Sequence, residues 1–350
     1  MSRPPLLCVF ARRISFRGLT LALILTTLPA CRATNLPLWK PHTIPVPDAE
    51  PVQHVRDVAY YDHKQADRLR HRLDLILPKN KKDFPVVVLV HGGAWIVGDN
   101  RCCGLYPSVG EFLASQGIGV VLPNYRLSPT VKHPDHIKDL AHAFAWVHAH
   151  IAEYGGRPDQ IFLVGHSAGG HLVALLATDD QYLKAEQLDT SSIRGVVGIS
   201  GVYRIPEGKA SIVLGGSSPM SLRYDALAPF RGDCTPVAAW ISSRQGLPLS
   251  VNIFGPAFGN DPNVRWEASP VKHVRQGLPP FLLLNAEKDL PLLPGMADEF
   301  HQTLVEHGVP SQQMQFEKRN HNSILFRAIE PNDPVARAIL DFISEQTKKF

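Results

Sequence analysis

One stretch constrains the chain more than any other: Ile161-Phe162-Leu163-Val164-Gly165-His166-Ser167-Ala168-Gly169-Gly170-His171-Leu172-Val173-Ala174-Leu175-Leu176-Ala177. Residues 161–164 are an unbroken apolar run of β-formers, which predicts a buried strand. The run stops at Gly165, and after Ser167 the residues turn small and then apolar, which predicts a helix. Between them, Gly165-His166-Ser167-Ala168-Gly169 matches G-x-S-x-G. That spacing suits a strand-to-helix turn so tight that the serine takes a strained backbone conformation. Glycines on either side keep bulk away, and the hydroxyl is lifted above the sheet. Ser167 is therefore the candidate nucleophile. The pentapeptide also occurs in Gly/Ser-rich turns that do no chemistry. The strand before it and the apolar helix after it set this one apart.

A serine hydroxyl at neutral pH is a weak nucleophile, so it needs a base, an orienting acid and a site for developing negative charge. The chain offers each at the end of a strand. After the apolar run 281–284 comes Asn285-Ala286-Glu287-Lys288-Asp289, which makes Asp289 the candidate acid, with Glu287 as its competitor. After a strand near 313–316 comes Lys318-Arg319-Asn320-His321-Asn322. Of the 16 histidines, His321 is the one placed to reach a serine at the sheet's edge. His91-Gly92-Gly93-Ala94-Trp95 directly follows the Val-rich run 85–90. A glycine pair there lets the backbone turn its N–H groups toward the serine. Gly93 and Ala94 are the candidate donors from this loop, and Ala168 is the third.

The rest of the chain alternates. Strands are expected at 54–61, 71–77, 85–90, 118–122 and 195–200. A helix opening at His133-Pro134-Asp135 carries Ile137, Leu140, Ala141, Phe144, Val147 and Ile151 at helical spacing and ends at Gly155-Gly156. Helices are also expected over 296–307 and at the C-terminus, where Val335, Ala338, Ile339, Phe342 and Ile343 recur on one face. Strands alternating with helices predict an α/β domain with a mostly parallel central sheet covered on both faces. Residues 204–278 lack a clear period and are rich in Pro, Gly and Ser. They are expected to form a lid or cap over the carboxyl ends of the strands, where ligands bind in open α/β sheets.

His91-Gly92-Gly93-Ala94-Trp95, Asn124-Tyr125-Arg126-Leu127-Ser128-Pro129, Gly165-His166-Ser167-Ala168-Gly169-Gly170-His171 and Asp289…His321 together resemble the α/β-hydrolase carboxylesterases. The resemblance is to the branch around the hormone-sensitive lipase group, feruloyl-esterase-like hydrolases, kynurenine formamidases and prenylcysteine methylesterases, and it covers 52–350. It implies the α/β-hydrolase fold and a serine esterase acting through an acyl-enzyme on a small-molecule ester, without a cofactor. Ser167, Asp289 and His321 would be its triad, in the chain order that fold uses. Gly93, Ala94 and Ala168 would form the oxyanion hole. Ala94-Trp95 stands where the lipase group has further glycine, which points toward the formamidase and feruloyl-esterase-like side. Formamidase or amidase, peptidase and acyltransferase chemistry are alternatives on the same triad. A non-catalytic α/β-hydrolase binding protein is the alternative of a different class. Such relatives typically lose a triad member, whereas this chain carries all three candidates.

The N-terminus has its own logic. Arg3, Arg12, Arg13 and Arg17 precede an uncharged apolar run over 19–28. That run is too short to span a bilayer, so 1–31 is expected to be a secretory signal. Its end, Leu28-Pro29-Ala30-Cys31, resembles a bacterial lipobox. That implies lipidation of Cys31 and a lipoprotein on the periplasmic face of a membrane; plain cleavage, after Ala33 for example, would leave a soluble exported protein instead. Five prolines between Pro37 and Pro51 predict an extended tether over 32–51. The formal net charge of +4 shows no basic block beyond the leader, which argues against nucleic acid as a partner. No Cys/His spacing fits a metal site. Cys102, Cys103 and Cys234 remain as thiols, or as a bridge from the first pair to Cys234 in an oxidising compartment. Oligomeric state is not legible.

Overall fold

The computed structural model describes residues 51–64, 66–207, 212–214, 249–251, 254–330 and 332–348. The expected leader, Cys31, the tether over 32–50, Cys234 and much of 204–278 lie outside the described residues, as does the side chain of Cys103. The strands are β1 (Val52–Ala59), β2 (Arg72–Pro78), β3 (Phe84–Val90), β4 (Gly119–Pro123), β5 (Gly156–His166), β6 (Gly195–Ile199), β7 (Ile212–Leu214), β8 (Leu249–Val251), β9 (Phe281–Lys288) and β10 (Ser311–Asn320). The helices are α1 (Leu105–Ser115), α2 (Asp135–His150), α3 (Ala168–Thr178), α4 (Gln181–Ala185), α5 (Phe254–Phe258), α6 (Pro262–Glu267), α7 (Leu293–Glu306), α8 (Ser323–Phe326) and α9 (Pro334–Lys348).

Eight strands form one sheet in the order β1-β2-β4-β3-β5-β6-β9-β10. β1 and β2 pair antiparallel, as do β2 and β4, and every later pairing is parallel. This is the mostly parallel sheet that the alternation of strands and helices predicts. β5, which carries the pentapeptide, lies centrally between β3 and β6.

Period-2 alternation splits the core into two layers. Val86, Val88 and Val90 of β3 and Leu163 of β5 face the layer that includes Phe144 of α2, α3 and Phe300 of α7. Val87, Leu89, Phe162 and Val164 face the other, with Phe112 of α1 and Ile339 and Phe342 of α9. Burial of the run 85–90 on both faces explains why it reads as continuous rather than alternating. Gly195 of β6 exists to admit α9: a Cβ there would lie 2.8 Å from the Phe342 ring. Truncating a fully buried side chain such as Leu163 to alanine would cost about 2–5 kcal/mol.

The aperiodic region contains structure that its sequence hides. β7 and β8 form a small antiparallel ladder, and 254–278 holds α5, α6 and a turn of 3-10 helix over Pro270–His273. Phe254, Phe258, Ala268, Val271 and Val274 are buried in the first core layer. Arg265 is wholly buried and donates to the carbonyls of Gly259 and Pro206. Residues 254–278 are thus part of the domain's packing. Among the described residues no helix is long and apolar enough to cross a membrane.

Candidate active site

The turn after β5 is as tight as its glycines imply. Ser167 adopts φ 57° and ψ −118°, a conformation that costs a non-glycine residue about 1–3 kcal/mol. Its surroundings enforce it. The Ser167 N–H donates to Ile199 O at 2.9 Å, and Ser167 O accepts from the His171 N–H at 3.1 Å. A Cβ on Gly165 would collide with the Gly169 carbonyl, and one on Gly169 with the carbonyls of Val90 and His91. A Cβ on Gly170 would lie 2.9 Å from Gly201 Cα. Only a chain without side chains at these points lets α3 start so close to the sheet.

His321 stands between the other two candidates. Its Nδ1 lies 2.7 Å from Asp289 Oδ1 and its Nε2 lies 3.0 Å from Ser167 Oγ. Asp289 leaves the end of β9 with its side chain fully buried. Burial alone would push its pKa up. The hydrogen bond and charge of His321, then the Ser200 hydroxyl and the Ala286 N–H, outweigh burial and hold it below the usual carboxylate range. The carboxylate also accepts from the Leu290 N–H at 2.8 Å. Glu287, the competitor, is exposed and accepts from the Lys318 N–H at 2.7 Å, away from His321.

The loop after β3 carries three consecutive residues in the left-handed region: Gly93 (φ 118°), Ala94 (φ 53°) and Trp95 (φ 60°). Gly93 admits no substitute, because a Cβ would overlap the Val97 carbonyl. Gly92 is pressed against the serine turn, its Cβ position 3.0 Å from Ser167 Cβ. Ala94, Ser167 and Ala168 line one cavity. Ala168 opens α3, so its N–H belongs to the first turn, which has no intrahelical acceptor. Trp95 is a buried anchor, packed edge-on against His171 at 5.1 Å and Phe258 at 4.8 Å. It fastens this loop to α3 and α5.

The structure thus brings Ser167, Asp289 and His321 together, with Ala94 and Ala168 lining the cavity beside the serine and Gly93 next in the chain to Gly92, which packs on the serine turn. Sequence reasoning missed Ser200, whose hydroxyl lies 2.5 Å from Asp289 Oδ2, although a serine directly after the apolar strand β6 is a visible signal. It also missed Tyr106 and the contacts of His166. The cavity wall is apolar, with Trp95, Val202, Phe254, Leu290, Leu292 and Met296 among its lining. Among the described residues no group of three or more His, Cys, Asp or Glu side chains could hold a metal ion.

Comparison with known proteins agrees with this architecture. The BD-FAE family profile matches residues 73–212. In sequence the chain is 31% identical, over 75% of its own length and 50% of the relative's, to the protein of Arabidopsis thaliana named "Probable isoprenylcysteine alpha-carbonyl methylesterase ICMEL1". It is 29% identical to "Esterase LipQ" of Mycobacterium tuberculosis (strain ATCC 25618 / H37Rv), over 74% of this chain and 55% of that one. The chain therefore spans about half the length of the curated relatives it matches. A carbohydrate esterase from gut microbiota, solved in truncated form, superposes with a TM-score of 0.61 at 19% identity, covering 87% of this chain and 99% of that one. The architecture is the α/β-hydrolase fold. Within it, the chain is similar to the carboxylesterases.

Proposed function

We propose that this protein hydrolyses carboxylic esters through an acyl-enzyme on Ser167. The observation that carries the reading is His321 spanning Asp289 at 2.7 Å and Ser167 at 3.0 Å. Asp289, ionised, accepts the Nδ1–H and fixes the tautomer whose bare Nε2 faces Ser167 Oγ. Nε2 takes the hydroxyl proton as Oγ attacks the ester carbon. The carbonyl oxygen, now negative, is received by the N–H groups of Gly93, Ala94 and Ala168. Collapse of this intermediate expels the alcohol, which takes the proton from His321. Water then repeats the sequence on the acyl-enzyme, releasing the acid and restoring Ser167. The apolar lining at Val202, Phe254, Leu290, Leu292 and Met296 supports an uncharged, hydrocarbon-rich group beside the scissile bond.

The test is Ser167→Ala. Hydrolysis of p-nitrophenyl esters and labelling by a fluorophosphonate should both vanish while the circular-dichroism spectrum stays native, since the hydroxyl supports no core. A variant that turned over like the wild type would remove Ser167 from the mechanism. A chain-length series of p-nitrophenyl esters, beside feruloyl and formamide substrates, separates esterase from formamidase use of the same site.

The leader is a second, separate proposal: export, with Cys31 lipidated and the catalytic domain held off the membrane by the tether. Detergent partitioning of the wild type, and its loss in Cys31→Ser, would support it. Wild-type protein recovered unmodified and wholly soluble would reject the anchor.

A further inference from the structure

His166 precedes the candidate nucleophile and its side chain is buried. Its Nε2–H donates to the main-chain carbonyl of His321 at 2.8 Å, and the two imidazole rings lie 4.9 Å apart. Its other face meets the glycine-rich loop: the Gly92 Cβ position lies 3.3 Å from His166 Nδ1. Tyr106, on α1, joins the same contact. Its hydroxyl accepts the Gly92 N–H at 2.7 Å and stands 3.5 Å from His166 Nδ1. One ring thus touches the loop that carries the base and the loop that carries the candidate oxyanion donors. It is anchored in the rigid strand β5 between them.

The His321 segment needs such a tie. The β9–β10 ladder shifts register between Phe316 and Asn320, and Lys318 is left-handed at φ 56°. Past that point, Asn320 holds the segment from one side, its Oδ1 accepting from the Ser323 N–H at 2.8 Å. His166 holds it from within. Burial, and then the positive charge His321 can carry, push the His166 pKa down to about 3. The ring is therefore neutral, with a single N–H. That proton sits on Nε2, because a carbonyl can only accept.

We propose that His166 is a positioning residue that locks the His321 backbone and the Gly92–Gly93 loop into one unit around Ser167, with Tyr106 completing the link. The proposal rests on Ser167 being the nucleophile and His321 its base. His166 never touches the reacting atoms and exchanges no proton during turnover. Its effect is to keep His321 Nε2 and the candidate oxyanion donors at fixed distances from one serine oxygen. Misplacing a reacting group by about 1 Å can cost about 10²-fold in rate.

The experiment compares His166→Leu with His166→Gln. Glutamine can carry an N–H donor to about the position of the imidazole Nε2, and leucine fills similar space with none. With p-nitrophenyl acetate, His166→Leu should lower kcat by about 10- to 100-fold with KM within about twofold. His166→Gln should recover most of that loss. Tyr106→Phe should cost less in the His166→Leu background than in the wild type, as expected for residues acting through one link. His166→Leu turning over at the wild-type rate, or His166→Gln as slow as a folded His166→Leu, would overturn the proposal. If His166→Leu does not fold, His166→Met, which matches glutamine in length but has no N–H donor, takes its place, and a wild-type rate in that variant or full additivity of Tyr106→Phe with it would overturn the proposal instead. Failure of the underlying reading looks different: a wild type that neither labels with fluorophosphonate nor hydrolyses the ester.

Discussion

Ser200 donates a hydrogen bond from its hydroxyl to Asp289 Oδ2 across 2.5 Å, while the other carboxylate oxygen faces His321. Ser200 is fully buried and left-handed at φ 49°, directly after β6, so its side chain has one place to go. A carboxylate held from both sides cannot swing away from the imidazole it orients. Ser200→Ala should therefore reduce kcat by about tenfold, equivalent to about 1.4 kcal/mol, the low end for a hydrogen bond to a charged group. KM should not move. Steady-state kinetics beside a thermal melt check this, and an unchanged kcat would show that Asp289 needs no such support.

Asp289→Asn should lower kcat by roughly 10⁴-fold if the serine-protease precedent transfers, because the amide favours the wrong imidazole tautomer. Glu287→Gln, two residues earlier and bonded to the Lys318 N–H, should stay within a few-fold of wild type. Both changes remove one negative charge at the same end of β9, so the pair separates geometry from net charge. The reverse ranking would place the acid at Glu287.

Acid should unfold the protein through its histidines. Burial pushes the pKa of His91 down to about 4 and those of His166 and His171 down to about 3. The unfolded chain takes up these protons near pH 6.5, the folded chain only near the lowered values. For a base with depressed folded pKa, stability is complete above about pH 6.5 and falls as pH drops toward the folded value. Each such ring costs up to about 1.4 kcal/mol per pH unit in that window. Urea midpoints measured from pH 7 to 4.5 should fall steeply, and His171→Asn should flatten the slope by about one ring's share. An unaltered slope in that variant would mean His171 protonates in the native state.

Gly169→Ala should cost about 1–3 kcal/mol or prevent folding, since its Cβ would meet the carbonyls of Val90 and His91 and push α3 off the sheet. Gly259→Ala is the control. It is left-handed at φ 70° but has open space around it, so only the backbone penalty of about 1–2 kcal/mol applies. Chemical denaturation of the two variants compares collision with strain. Equal losses would show that the close approach at Gly169 can relax.

How legible was this in the sequence? The strand–turn–helix at 161–177 could be read because its glycines are demanded by backbone contacts that no other residue satisfies. Asp289 and His321 could be placed because each follows an apolar run, with Asp289 preferred as the residue in the loop after the strand and Glu287 left as its competitor. That choice depends on the direction in which β9 releases its last residues. Ser200 is visible as a serine directly after an apolar run, but its contact and those of Tyr106 and His166 could not be paired from the sequence, because their partners lie 14 to 155 positions away in the chain. The helices at 254–267 were missed because they are only one or two turns long, too short for a period to register. Arg265 there breaks the expectation that a buried position is apolar, since two main-chain carbonyls satisfy its charge-bearing head.

Helix α3 has no outward face: all eleven of its residues are buried. Local opening needs a surface to peel from, and this helix has none, so its amides should exchange with solvent only when the whole domain opens. The element that bears the candidate nucleophile is then as durable as the fold itself. Heat should not produce a folded but slack species at this centre, and loss of turnover should track global melting degree for degree. Surface engineering that raises the melting temperature would carry activity up with it, leaving the loops at Gly93 and His321 as the places where rate and robustness can be separated.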